Sequence, residues 1–516
     1  MRTVLAAIAT GRGGIDRALG RVTAVALIAA TLWVVVVAAL VLMLVGVLAF
    51  DPLAGVLSVI VTVASTAVGA YAGGAIVRAT PELESVLVSG LIVFLLFPPR
   101  LDAPSLTAVA IAGLIAGASR FLVARLGRHL FNPAALGALV VALVASVLDL
   151  AGISFLGGPT WWVATPPLAP VVALGALVVC YRSSVVTVAL AYVVVAAAFR
   201  TGQLIAFGMP LGDSLATIFG SLPIVFAAGY LLSEPQTLPP RWWQRLLVAG
   251  LAALVASVPF SFGPLYSSPE LGIVIANVLA WGFGARRAIG LTVTGVQRHG
   301  QNVVSLRLRA DEPVAHLAGQ AIELAVPHGS RDIRGRRRVF SIASAPGAED
   351  LEIAFCVPPH ASTAKRALAA LSPGDGLRAT RVFGDFVAPK VGTDALLVAG
   401  GIGITPFLSM LRDADPRHDY VVVYRSSEET PPFLAELEAA GVRVVLSCPV
   451  APEPMPTGWT WLGRGRLVAE DLAAAIPDLP GRVAYVSGPP SMVAALTAAL
   501  RRAGVRGVRR DVFSGA

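Results

Sequence analysis

Between Leu396 and Phe407 the chain reads Leu-Leu-Val-Ala-Gly-Gly-Ile-Gly-Ile-Thr-Pro-Phe. An apolar strand that runs into glycines, with a helix to follow, lets a backbone come close to a dinucleotide and turns helix N–H groups toward phosphate. The residues concerned are Gly400, Gly401, Gly403, Thr405 and Pro406, and their spacing is not the G-x-G-x-x-G of dehydrogenases. Three other stretches offer related chemistry. Arg338-Val339-Phe340-Ser341 joins a guanidinium fork, a flat ring and a small hydroxyl. Ser362 and Thr363 cap an expected helix start, a natural anion site, with Lys365 and Arg366 adding positive charge. Ser487-Gly488-Pro489-Pro490 ends a second apolar strand. A strand with an exposed Arg and a buried Phe stays open as the plain alternative for the Arg338 tetrapeptide.

Other chemistries fit poorly. The chain has 3 cysteines, Cys180, Cys356 and Cys448, without C-x-x-C spacing. That argues against a disulfide scaffold, a zinc site or a Cys-ligated iron–sulfur cluster. Of 6 histidines only His129 precedes residue 285, which argues against paired-His haem ligation between helices. The net charge of +9 comes without a basic cluster interleaved with aromatics, so nucleic acid is not an expected partner.

In this order, the tetrapeptide, the glycine loop and the Ser487 stretch resemble the ferredoxin-NADP reductase family over residues 290–516. The resemblance implies FAD and NAD(P)H as cofactors, with hydride passing from nicotinamide to flavin. It further implies that Arg338 pairs with flavin phosphate, Phe340 stacks on the isoalloxazine and Ser341 hydrogen-bonds N5. Ser362, Thr363 and Lys365 would hold pyrophosphate, and Ser487, Gly488 and Pro489 would lie beside the nicotinamide. Here Ser487 stands where the family has Cys, so Ser341 and Ser487 are the expected catalytic pair. Arg425 ends a strand where an adenosine ribose would lie. The terminal Ala516 cannot shield the flavin as an aromatic does in many relatives, which leaves Phe513 as the candidate.

These parts need a scaffold, and the chain changes character near residue 288. It has 516 residues, 56% hydrophobic and 14% charged, with most charges beyond residue 285. A spanning helix needs about 20 apolar residues. Ten candidate spans run near 22–49, 52–77, 83–99, 104–124, 133–150, 167–181, 183–199, 214–232, 246–263 and 271–285. With the N-terminus inside, cytoplasmic segments carry Arg78, Arg120, Arg125, Arg128, Arg182, Arg241, Arg245, Arg286 and Arg287, and the outer side only Arg100 and Arg200. That bias follows the positive-inside rule and puts the C-terminal half in the cytoplasm. From Leu291 period-2 alternation predicts a barrel, and from Asp394 strand–loop–helix units predict a parallel α/β domain.

Three stretches in the apolar half carry more than hydropathy: His129 to Gly137, Trp161 to Pro166, and Ser233 to Thr237. They resemble the membrane family that contains the D component of the Rnf complex and the B component of sodium-translocating NADH:quinone oxidoreductase, over roughly residues 20–285. That resemblance implies ten helices and FMN covalently linked at Thr165. Pro159, Trp162 and Val163 depart from the family's D-x-x-[ST]-G-A-T pattern. A second reading also stands, in which Thr165 caps a helix starting at Pro166 and Trp161 and Trp162 are interfacial anchors. Asn132 and Glu234 are functional candidates as polar groups by apolar segments, with helix capping the alternative. Asn277 is expected to face Asn132 across inverted five-helix halves, and Arg120 to snorkel.

The expected architecture is a polytopic α-helical membrane domain of about ten helices, a β-barrel flavin domain and a parallel α/β nucleotide-binding domain. The expected boundaries are a cytoplasmic segment 1–21, a transmembrane domain 22–285, an FAD-binding barrel 290–390 and an NAD(P)-binding domain 393–516. The expected activity is a flavin-dependent NAD(P)H oxidoreductase of the cell membrane, both termini cytoplasmic, delivering electrons toward a quinone or extracytoplasmic acceptor. A cytoplasmic FAD and an outer flavin would stand about a bilayer apart. A buried flavin, a quinone or an additional membrane subunit is therefore expected between them. The rival reading is an ion or solute transporter with a regulatory or energising reductase domain.

Overall fold

The computed structural model describes residues 24–77, 81, 83–125, 128–183, 185–234, 237–283, 289–300, 302–326, 337–359, 361–464, 467–505 and 507–513. The expected segment 1–21, Arg286 and Arg287, Arg334 and Arg336, and Ala516 lie outside them. The chain divides into a unit of residues 22–287 and a unit of residues 288–516 with 1–21.

The first unit is helical: α1 (Ala24–Leu44), α2 (Pro52–Val77), α3 (Leu83–Leu96), α4 (Ala103–Leu122), α5 (Pro133–Leu150), α6 (Ala169–Arg182), α7 (Val186–Ala206), α8 (Leu211–Ser221), α9 (Ile224–Phe226) running into a π turn (Ala227–Leu231), α10 (Trp242–Ser257) and α11 (Pro269–Gly282). Two short hairpins interrupt it, β1 (Ala124–Arg125) with β2 (Arg128–His129) and β3 (Ser261–Phe262) with β4 (Leu265–Tyr266). Among the described residues, five helices are long and apolar enough to cross a membrane, and six if Leu211–Ser221 and Ile224–Leu231, bent by 50°, form one span. Helices α3, α6, α10 and α11 are apolar but have only 14–16 residues. At 1.5 Å per residue they reach about 21–24 Å, short of a hydrocarbon core of about 30 Å. Helix α3 is buried all round from Leu91 to Leu96, as a helix apolar on every face should be.

A polar cap with Pro one or two residues later starts three of these helices. Asp102 accepts from Ser105 N at 2.8 Å, Asn132 from Ala135 N at 3.0 Å and Ser268 from Leu271 N at 3.3 Å. Each side chain satisfies an amide that the first turn leaves open, and Pro supplies a preset φ. Helices α2 and α4 pack backbone to backbone. A Cβ on Gly73 would lie 3.0 Å from Ala118 O, and one on Gly117 2.6 Å from Ala70 N. Small residues let helix backbones approach closely enough for such packing.

The second unit holds two six-stranded sheets. The first is antiparallel, in the order β8-β7-β10-β5-β6-β9. Its strands are β5 (Ile289–His299), β6 (Val303–Ala310), β7 (Ala321–Ala325), β8 (Arg337–Ser341), β9 (Asp350–Cys356) and β10 (Gly376–Phe383), with α12 (Thr363–Ala369) between the last two. A lone bridge between Ile342 and Ile353 joins its two outer strands. The second sheet is parallel, ordered β14-β13-β12-β11-β15-β16. It comprises β11 (Ala395–Gly400), β12 (Tyr420–Arg425), β13 (Arg443–Ser447), β14 (Trp459–Trp461), β15 (Val483–Gly488) and β16 (Val508–Val512). Helices α13 (Thr405–Arg412), α14 (Leu434–Ala439), α15 (Ala469–Ala475) and α16 (Pro490–Arg502) lie among them. All six residues of β11 are buried, which explains their unbroken apolar run.

Gly117→Val should lower the thermal unfolding midpoint of the detergent-solubilised chain, with overpacking costing about 1–3 kcal/mol. Gly250→Ala, where a Cβ meets nothing within 4 Å, should leave the midpoint unchanged or slightly raised.

Candidate functional site

Strand order reverses around β11, whose successors β12 and β15 lie on opposite sides of it. Ligands of open α/β sheets bind beyond the strand C-termini at such a point. The glycine loop ends β11 there, and Ser487 and Gly488 end β15 beside it. A Cβ on Gly488 would lie 3.1 Å from Gly400 O and 2.8 Å from Met492 Cε. One on Gly403 would collide with Ser487 O. Gly401 turns the chain at a φ of 54°, in the region that favours glycine. Thr405 Oγ1 donates to Ile402 O at 2.9 Å, and Pro406 occupies the first turn of α13. Gly400, Gly401, Gly403, Thr405, Pro406, Ser487, Gly488 and Pro489 therefore form one cradle. Ser487 Oγ is buried in it with no hydrogen-bond partner. A cavity of about 230 Å³ lined by Arg425, Leu467, Ser491, Met492, Ala495 and Leu496 opens at the end of β12.

The antiparallel sheet delivers the Arg338 strand to the same helix. Beyond the end of β8, Ser344 O accepts from Ser409 Oγ at 2.7 Å and Ala343 O from Arg412 at 2.9 Å. Arg412 also pairs with Glu352 at 2.7 Å, fastening α13 to β9. Ser341 is buried, and Arg338 donates to Arg337 O at 2.8 Å. Phe340 is 6% exposed with its ring 5.5 Å from Phe355, while Val339 faces out. The buried-Phe reading thus describes where this ring lies. Ser362 caps α12, its Oγ accepting from Lys365 N at 3.4 Å, while Thr363 Oγ1 is buried without a partner. FAD and NAD(P) fit this set: two buried hydroxyls lack partners among the described residues, and at Gly401 a side chain would meet nothing within 4 Å.

Sequence reasoning missed Arg412, Phe386 and Asp511. Phe386 packs on Phe407 and Tyr485 at 5.7 and 5.3 Å, below the cradle. Asp511 is the ladder partner of Ser487, and Phe513 N donates to Gly488 O at 3.0 Å. Burial pushes the Asp511 carboxyl up to about 6. No local pattern announces these residues, because their roles come from sheet order.

In the first unit the pairing of Asn132 with Asn277 is present: Asn132 N donates to Asn277 Oδ1 at 2.7 Å. Glu234 joins them, accepting from Asn132 Nδ2 at 3.0 Å and lying 2.7 Å from His129 Nε2. Arg120 turns inward to within 3.8 Å of Glu234, so snorkelling is not its whole role.

The second reading of the Trp161 stretch is corrected. Helix α6 starts at Ala169, Thr165 makes no cap, and Thr165 Oγ1 is buried without a partner. Trp161 and Trp162 are buried, not interfacial, donating to Glu270 Oε2 and Phe94 O at 2.8 Å each. Indole N–H groups satisfied inside the protein leave no reason for a belt position. The orphaned hydroxyl is compatible with a group attached at Thr165.

No family model matches the chain. It is 30% identical over 283 residues to the reductase subunit of an aromatic O-demethylase of Amycolatopsis sp., covering 52% of this chain and 79% of that protein. The ferredoxin–NAD(P)(+) reductase component of naphthalene 1,2-dioxygenase/salicylate 5-hydroxylase systems of Ralstonia sp. is 27% identical, covering 42% of this chain and 66% of the relative. The ferredoxin–NAD(+) reductase component of an alkene monooxygenase system of Xanthobacter autotrophicus is 30% identical, covering 37% and 58%. Among solved structures, an Amycolatopsis cytochrome P450 reductase aligns with a TM-score of 0.38 at 25% identity, covering 44% of this chain and 70% of its own.

Ser487→Ala should slow single-turnover flavin reduction about tenfold, about 1.4 kcal/mol of barrier. Its melting temperature should be unchanged or higher, because a buried hydroxyl without a partner adds nothing to the free fold. Asp511 has a raised carboxyl, so its contribution to stability is complete below about pH 4 and lost as pH rises through about 6. Asp511→Asn should therefore raise the melting temperature at pH 8 and not at pH 4, as scanning calorimetry would record.

Proposed function

Because this chain belongs through its C-terminal half to the ferredoxin reductase-like family of NAD(P)H-dependent flavin oxidoreductases, we propose that it feeds electrons from NAD(P)H into its own membrane unit. Residues 290–390 bind FAD and residues 393–516 bind NAD(P)H. Bound FAD accepts hydride and releases electrons one at a time, which a nicotinamide cannot do. The cradle of Gly400, Gly403, Ser487 and Gly488 carries this reading. Gly401 leaves open space beside it, and the Ser487 hydroxyl waits there for a partner. Arg338 holds flavin phosphate, Ser341 faces the hydride-accepting atom, and Ser362, Thr363 and Lys365 hold pyrophosphate. Phe340, its ring 5.5 Å from Phe355 and tilted to it by 52°, contacts the flavin ring.

The membrane unit takes the place of a separate redox partner. Its six spans and four shorter apolar helices make up a ten-helix domain in the cell membrane, with both termini cytoplasmic as the arginine bias requires. A flavin at Thr165, FMN by resemblance, receives the electrons and passes them to a quinone or an extracytoplasmic acceptor. The orphaned Thr165 hydroxyl supports attachment there. Ion or solute transport is the second reading, favoured by the 50° break in α8–α9 beside a buried polar cluster.

The test is in-gel flavin fluorescence of the denatured full chain co-expressed with a flavin transferase. Wild type should give a fluorescent band and Thr165→Val none, with NADH–ferricyanide activity at the FAD equal in both. A dark wild type would remove the covalent flavin, and a bright Thr165→Val would move it to another residue.

A further inference from the structure

The cluster around Glu234 holds more ionisable chemistry than capping a helix requires. Asn132 alone caps α5 through Ala135 N, meets Asn277 and donates to Leu231 O at 3.1 Å. Glu234, His129 and Arg120 are added to that. Burying a carboxylate, a guanidinium and an imidazole costs several kcal/mol of desolvation per ion, which apolar residues would avoid. Ionisable groups kept inside an apolar unit mark pathways for charge by default. The described groups facing the pair come from every side: Arg120 on α4, Ser85 and Ser89 on α3, Asn132 on α5, Asn277 on α11 and Tyr230 on the π turn. The cluster is also reachable. Glu234 keeps 17% and Arg120 13% of its side-chain surface open, and a small cavity lined by both adjoins them.

We propose that His129 and Glu234 form a proton-binding pair that takes up a proton when an electron enters the membrane unit and releases it when the electron leaves. The inference rests on the electron-transfer reading above. The electron comes from NAD(P)H through FAD and reduces a flavin or quinone carrier in this unit. The proton comes from water and forms an N–H or O–H bond on the pair, and the same bond breaks as the carrier is reoxidised. An added negative charge in a low-dielectric interior is expensive, and a proton bound nearby offsets it. Asn132 fixes one Glu234 oxygen at 3.0 Å, leaving the other to share the proton with His129 at 2.7 Å. Arg120 supplies a fixed positive charge beside them.

The experiment uses the full chain in lipid nanodiscs, as wild type, Glu234→Gln, Glu234→Asp and His129→Gln, each checked for bound FAD and a single size-exclusion peak. Infrared pH titration, which needs no electron flow, should show a protonated-carboxyl band that Glu234→Gln removes and Glu234→Asp keeps. His129→Gln should displace its midpoint by about one pH unit or more, as losing a close partner does. On anaerobic reduction with NAD(P)H, a pH dye should report more proton uptake by wild type than by Glu234→Gln. A carboxyl band that does not titrate, or that persists in Glu234→Gln, overturns the site. Equal uptake by the two proteins overturns the coupling to electrons. A titrating band in a chain whose membrane unit accepts no electrons from FAD keeps the site and sinks the electron-transfer reading instead.

Discussion

The second unit depends on two strand ends that touch through backbone alone. Gly400 on β11 and Gly488 on β15 lie so close that a Cβ on Gly488 would sit 3.1 Å from Gly400 O. Glycine there is a condition of the parallel pairing, because any side chain would force the ends apart. The same closeness brings Ser487, Pro489 and Met492 against the glycine loop and starts α13 and α16 side by side. From α13 the constraint passes outward through Ser409 and Arg412 to the carbonyls just beyond β8. The Arg338 strand is thus positioned by a helix that begins at the glycine loop. A site assembled across two sheets stays in register because three polar contacts, not one, join them.

In the first unit the governing condition is polar satisfaction. Buried polar groups of an apolar core gain most from partners in the protein. The indole N–H groups of Trp161 and Trp162 reach a carboxylate and a carbonyl, which fixes the Thr165 loop against α3 and α11. Trp161 adopts a left-handed φ of 55°, unusual for a bulky residue, and the bond to Glu270 helps to hold it there. At the Asn132 cluster one amide serves three elements at once. Close glycine packing lets α2 and α4 approach backbone to backbone.

Much of this was legible in the residues. The glycine loop, the apolar run of β11 and the Ser487 turn all announced themselves, because parallel strands and backbone contacts restrict residue type locally. The Asn-Pro start of α5 read correctly for the same reason. What failed was whatever depends on partners far away in sequence. Thr165 looked like a cap because Pro follows it, yet the turns at 161–168 delay α6 to Ala169. The tryptophans looked interfacial because their side chains suit that role, and only the fold supplies Glu270 and Phe94 O. Glu270 itself follows Ser-Pro at a helix start, where an acidic residue is ordinary and carries no signal. His129 stood in a quoted stretch, but nothing local ties it to Glu234, 105 residues away.

Orphaned hydroxyls carry weight only where a second feature coincides with them. Tyr424 and Tyr485 also bury hydroxyls without partners among the described residues, and both sit in strands of the parallel sheet, Tyr424 beside Ala399 and Tyr485 beside Leu397. Ser487 lies near the end of β15 beside the glycine loop, Thr363 starts α12, and Thr165 lies at a bend before α6. An unmatched hydroxyl costs about 1–3 kcal/mol whichever role it has. Inside a sheet that cost is offset by aromatic packing, as Tyr485 shows by meeting Phe386 at 5.3 Å. In a glycine turn there is little packing to offset it. Ser487, Thr363 and Thr165 thus combine an unmatched hydroxyl with a strand end, a helix start and a bend, and it is that coincidence, not the missing partner alone, that sets them apart from the tyrosines.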